Sequence, residues 1–168
     1  MDTTNLISAF AEEATALPPL HCAFDFLKKA EDTYTPGYPP MSPLTTSYYV
    51  SWTLFDVPFG RDKETIGDCF ADLADMLGLD PIQVEAVGKL RQSRMGIYEI
   101  LDGIGAHFRL RELITDLEVE ALIPTGFRSK AGSLVYIRLL PPLEAVGSRY
   151  VGVTTPYVLA GSAAADWI

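Results

Sequence analysis

The stretch from Ser93 to Leu143 constrains this chain more than any other, because it holds four short strand-like runs separated by turn residues. Ile97, Tyr98, Ile100 and Leu101 form the first run, and Gly103 and Gly105 mark the turn after it. Phe108-Arg109-Leu110-Arg111-Glu112-Leu113 alternates apolar and polar residues. A period of two puts successive side chains on opposite faces of a sheet. Val119 to Ile123 and Leu134 to Leu140 supply the third and fourth runs, the last rich in β-branched and aromatic residues. Short strands with glycine-marked turns predict a small, mostly antiparallel β-barrel or curled sheet. Tyr150 to Leu159 reads as one more strand, with Pro156 confined to an edge or a bulge because it has no N–H to give to a ladder.

The chain before Ser93 has a different period. Residues 3–16 predict a helix that Pro18-Pro19 stops, and Ala23 to Ala30 predicts a second, short one. Glu31 to Pro43 reads as a connector, because its prolines forbid regular helix or central strand. In residues 64–77 Thr65 is a cap, and Ile66, Phe70, Leu73, Met76 and Leu77 form an apolar stripe opposite Asp68, Asp72 and Asp75. Gly78 fits a C-cap, and Asp80-Pro81 opens a helix running to about Arg91. Thr45 to Phe59 is open on local pattern. Tyr48, Val50, Trp52 and Leu54 alternate like a strand, whereas Tyr48, Trp52 and Phe55 share a helix face. The predicted class is α+β: N-terminal helices packed on a small barrel or curled sheet. A mainly helical part covers 1–92 and a β part covers 93–168, in one compact unit.

The strings YYVSWTLFD (48–56), SRMGIYEIL (93–101), RLRELIT (109–115) and GSLVYIRLLPPL (132–143) resemble an uncharacterised bacterial group. In that group an aromatic helix precedes a small β-barrel, and some members append a SEC-C-type zinc motif. The likeness spans roughly residues 45–160 and implies that 45–56 is helical; its motifs are structural rather than catalytic. This chain departs from the pattern at the turn glycine, read here as Leu117 in TDLE (115–118), and at Ser133, where the group has Asp. It has no cysteine cluster, so the resemblance implies no metal here.

Composition narrows the classes further. The 168 residues are enough to bury a core without disulfides, and only Cys22 and Cys69 are present. No apolar run approaches the roughly 20 residues that span a bilayer. The N-terminus carries Asp2, Glu12 and Glu13 rather than a basic region, so it is not read as a signal peptide, and a cytoplasmic location is expected. The net charge of −9 is uneven. Residues 1–88 hold four Lys and Arg against fourteen Asp and Glu, whereas residues 89–149 hold nine against seven.

The candidate sites are weak. Arg91, Arg94, Arg109, Arg111, Arg128 and Lys130 are the residues through which a small barrel would bind nucleic acid. The acidity of the whole chain opposes that role. The competing reading pairs Arg109 and Arg111 with Glu112, Glu118 or Glu120 across strands. His21, Cys22 and His107 lack the spacing of a zinc site, and Asp56, Asp62, Asp68, Asp72 and Asp75 lack that of an EF-hand. No phosphate-binding glycine loop occurs. The expectation is no metal, no cofactor and no membrane. The first function reading is a non-catalytic protein-interaction module that binds a protein partner or its own copy, presenting Tyr34, Tyr38, Tyr48 and Tyr49. The alternatives are a nucleic-acid-binding barrel, or an enzyme with a cryptic site around His107 and a nearby carboxylate.

Overall fold

A computed structural model of the chain describes residues 21–34, 42–76, 78–123, 126–144 and 147–161. The helix expected over 3–16, and Tyr38, lie outside the described residues. The chain divides into two compact units between Asp80 and Pro81.

The first unit is helical. Helix α1 (His21–Tyr34) runs past Ala30 into the segment read as a connector. There Thr33 Oγ1 donates back to Lys29 O at 2.7 Å. Helix α2 (Pro43–Phe55) resolves the ambiguous stretch as helix. Its start explains why strand propensity loses: Ser42 Oγ accepts from Thr45 N at 3.1 Å, and Pro43 sits in the first turn with its φ already suited to a helix. The buried Thr53 hydroxyl is satisfied inside the helix, 3.0 Å from both Tyr49 O and Val50 O. Helix α3 (Ile66–Asp72) is shorter than the stripe predicted. Thr65 and Asp68 form a capping box, with Asp68 N to Thr65 Oγ1 at 3.1 Å and Thr65 N to Asp68 Oδ2 at 2.7 Å. Asp68 therefore serves as a cap.

The second unit opens with helix α4 (Pro81–Gln92), which buries Ala86, Val87 and Leu90 and packs on strand β4. Only Ser93 separates it from the strands β1 (Arg94–Ile104), β2 (His107–Glu112), β3 (Glu118–Leu122), β4 (Leu134–Leu140), β5 (Tyr150–Gly152) and β6 (Tyr157–Val158). Five of them close a barrel in the order β1-β2-β3-β5-β4, with β4 returning to β1. All pairs are antiparallel except β3–β5. Closure depends on the length of β1. It pairs with β4 through Arg94–Glu99 and with β2 through Tyr98–Ile104, and a bulge between Ile100 and Asp102 bends it from one half to the other. β6 adds to β4, and Pro156 falls in the gap between β5 and β6 where the chain leaves the ladder. The class is α+β, with helices preceding a five-stranded barrel.

Alternation fills the barrel as expected. Phe108, Leu110, Val119 and Ala121 point inward to Ile100, Ile123, Val135 and Ile137, and the Phe127 ring closes over Phe108 at 5.3 Å. In the β2–β3 turn the residue with glycine-like backbone is Asp116 (φ 58), not Leu117. Asp tolerates this region better than most residues, so the turn forms without glycine. The Glu112 carboxylate holds it by accepting from Ile114 N (2.9 Å), Thr115 N and Thr115 Oγ1 (2.7 Å).

Candidate functional site

The outward side of β1, β2 and β3 gathers the residues with most chemical potential. Alternation that sends Phe108 and Leu110 inward sends His107 and Arg109 outward, and likewise Glu118 and Glu120 on β3. A depression of about 350 Å³ opens at the β1–β2 end, lined by Asp102, Ile104, His107, Phe108, Arg109, Glu120, Ala121 and Arg149. Arg149 comes from the β4–β5 loop, which is anchored on α4 through Glu144 N to Glu85 Oε1 at 2.8 Å. Ile104 stands at the rim, 87% exposed in the hairpin between β1 and β2.

The charges form a lattice. Arg109 lies 2.8 Å from Asp102 and 3.7 Å from Glu118. Arg111 bonds Glu99 at 2.5 Å and lies 3.7 Å from Asp116. The hydrogen bond to Glu99, then the charge of Glu99, raises the pKa of Arg111. Arg149 reaches Glu120 at 3.5 Å. Three guanidinium groups thus face five carboxylates, and the face is net acidic. Of the cross-strand partners expected, Glu118 pairs with Arg109, whereas Glu112 caps its turn and the short bonds go to Asp102 and Glu99 on β1.

The six basic residues singled out in the sequence fall on α4, β1, β2 and the β3–β4 loop. Arg109 and Arg111 share the β2 face. Arg91 ends α4 and Arg94 begins β1, with Arg94 Nη1 donating to Arg91 O and Ser93 O at 2.7 Å. Arg128 and Lys130 lie exposed in the β3–β4 loop. His107 lines the depression beside Asp102 and Glu120, but each carboxylate there is engaged by an arginine. Cys22 lies in α1, in the other unit. Cys69 in α3 has its thiol pKa pushed up by burial and by Glu64, Asp68 and Asp72. Among the described residues no three His, Cys, Asp or Glu side chains are placed to hold a metal ion.

In the helical unit a groove of about 440 Å³ is lined by Lys29, Ala30, Thr33, Trp52, Asp56, Val57 and Pro58. Tyr48 and Tyr49 are half-buried, and burial, then Glu31 and Asp32, raises the pKa of the Tyr49 hydroxyl.

Sequence reasoning missed Arg149, Asp102 and Ile104, which only the closed barrel brings together. It also missed Arg138, fully buried on β4. Its signal was a lone charge inside the apolar run Leu134–Leu140. Arg138 Nε donates to Ser93 Oγ at 2.7 Å and Nη2 to Ser93 O at 3.1 Å. Comparison with family models, curated proteins and solved structures found no match to the chain. Among the described residues no helix is long and apolar enough to cross a membrane.

Proposed function

We propose that this chain is a non-catalytic protein-interaction module of the bacterial cytoplasm, with the outer face of β2 and β3 as its recognition surface. The helix-then-barrel order agrees with the bacterial group that the sequence resembles. Five-stranded Greek-key barrels commonly bind oligonucleotides or oligosaccharides on the face of strands 2 and 3, between the 1–2 and 4–5 loops. Here that place holds the depression between Ile104 and Arg149. Fold alone does not assign the ligand, so the chemistry of the face must.

One observation carries the reading: every arginine on the face is tied to a carboxylate, and the carboxylates outnumber them. Nucleic-acid binding needs cations free to replace the counterions of phosphate. A net acidic face with an exposed isoleucine suits instead a protein partner of complementary charge. The test is native mass spectrometry of the full chain purified from its own host at low salt, alongside gel shifts with single-stranded RNA and DNA. The expected result is a bound protein or second copy and no shift. A salt-sensitive nucleic-acid complex that Arg109→Glu weakens would replace this reading with the nucleic-acid one.

A further inference from the structure

Among the described residues the seam between β3 and β5 is incomplete. β3 pairs with β2 along its whole length, but with β5 only at Ala121↔Tyr150 and Leu122↔Val151. From Glu118 to Glu120 it has a neighbour on one side only, among the described residues. The phase of the β2–β3 ladder is fixed by Glu112 N to Leu117 O (2.9 Å) and Ile123 N to Ala106 O (2.8 Å). Directly opposed residues alternate between bonded and non-bonded pairs. Leu110 and Val119 are therefore a bonded pair, whereas Arg111/Glu118 and Arg109/Glu120 are not. The N–H groups of Glu118 and Glu120 consequently point away from β2, along the open edge.

The side chains on this edge carry the excess negative charge of the face, with Arg149 3.5 Å from Glu120. Arg109 and Arg111 make their short bonds to Asp102 and Glu99 on β1, and stand 3.7 Å from Glu118 and Asp116. Asp116, Glu118 and Glu120 keep 84%, 51% and 69% of their side-chain surface exposed. An open edge is a template for another strand, and the charges along it decide which strands are accepted.

We propose that the Glu118–Glu120 edge of β3 binds an extended segment of a partner protein that carries Lys or Arg at alternate positions. The backbone of that segment pairs with the N–H of Glu118 and Glu120. Its outward cations meet Asp116, Glu118 and Glu120, and its inward residues are small and apolar beside Val119, which is buried. This rests on the protein-interaction reading and specifies the partner's chemistry.

The probe is a peptide of about six alternating Lys and Val residues, with a Glu/Val peptide as control, added to isotope-labelled full chain. The expected result is saturable binding of the Lys peptide only, weakened by salt, with slowed amide exchange at Glu118 and Glu120. Glu118→Pro removes an outward N–H without touching the β2 ladder, and is expected to weaken binding at least about tenfold, about 1.4 kcal/mol. Glu118→Lys combined with Glu120→Lys tests the charge where the proline variant fails to fold, with the same expected loss. Unchanged exchange at both amides under saturating peptide, or equal binding by the folded variants, overturns the proposal. A protein partner found by native mass spectrometry that binds wild type and variants equally sinks the edge while leaving the module standing. Nucleic acid in place of any protein sinks both.

Discussion

Removing one oxygen, the Oγ of Ser93, should loosen the junction between α4 and the barrel. Ser93 is 1% exposed and Arg138 is fully buried. The Oγ accepts from Arg138 Nε at 2.7 Å and donates to Leu90 O at 2.5 Å, so it links the guanidinium to the last turn of α4. Ser93→Ala keeps the backbone bonds of Ser93 N to Lys89 O and Leu90 O, and keeps Arg138 Nη2 on Ser93 O. It removes one hydrogen bond to a buried charge, of about 1.5–3 kcal/mol, together with the bond to Leu90 O, whose carbonyl still accepts from Ser93 N. The expected loss is about 2 kcal/mol, which at an m-value of about 2 kcal/mol/M moves the urea midpoint of the barrel unit down by about 1 M. Arg138→Lys keeps the charge but loses the planar fork, and is expected to cost at least as much. Urea titration followed by near-ultraviolet circular dichroism reads both. If Ser93→Ala costs under about 0.5 kcal/mol, the range of an ordinary surface substitution, then the serine is not the acceptor that makes the buried arginine tolerable.

Three further outcomes follow from single contacts. Burial, then Glu112 and Tyr150, pushes the Tyr98 hydroxyl up to about 12 from an ordinary 10.0. A folded pKa above the unfolded one gives stability that is full below pH 10 and fades as pH rises towards 12. The loss is about 3 kcal/mol, at 1.36 kcal/mol per unit, and Tyr98→Phe should flatten it in unfolding measured from pH 9 to about 12. Glu112→Ala removes the acceptor of three bonds in the β2–β3 turn. It should cost about 1–2 kcal/mol and speed exchange of the Ile114 and Thr115 amides, whereas unchanged exchange would mean that the turn holds itself. A Cβ on Gly67 would lie 2.6 Å from Phe55 Cδ1, so Gly67→Ala should cost about 1–3 kcal/mol by overpacking α2 against α3; a melting curve like wild type would show that the phenyl ring has room to turn.

The parts of the fold legible in the sequence are those set by local rules. Period-two alternation located β2, a short apolar run located β3, and Thr65 and Asp80-Pro81 located helix starts, because caps and pleats act within a few residues. α2 was not settled by pattern, since Tyr48 and Trp52 satisfy either period, and the deciding Ser42 cap lies just outside that stretch. Closure was out of reach for a physical reason. The β1–β4 and β3–β5 pairings join residues far apart in sequence, so they leave no periodic trace.

The same reason explains the misleading charge of the β half. Residues 89–149 carry more cations than carboxylates, which reads as a mildly basic surface. The ion pairs of the β1–β2–β3 face draw in three of these nine cations, Arg109, Arg111 and Arg149. Arg138 is buried against Ser93, Arg91 and Arg94 sit at the α4–β1 junction, and Arg128 and Lys130 lie in the β3–β4 loop. On the β1–β2–β3 face the carboxylates of Glu99, Asp102, Asp116, Glu118 and Glu120 outnumber Arg109, Arg111 and Arg149. The field that a ligand meets at close range is set by the charges within about a Debye length, roughly 8–10 Å. A ligand approaching β3 therefore meets a negative edge on a negative protein, and the two signs agree. On the proposed reading, steering and docking then favour the same cationic partner, and a phosphate backbone is opposed at both ranges.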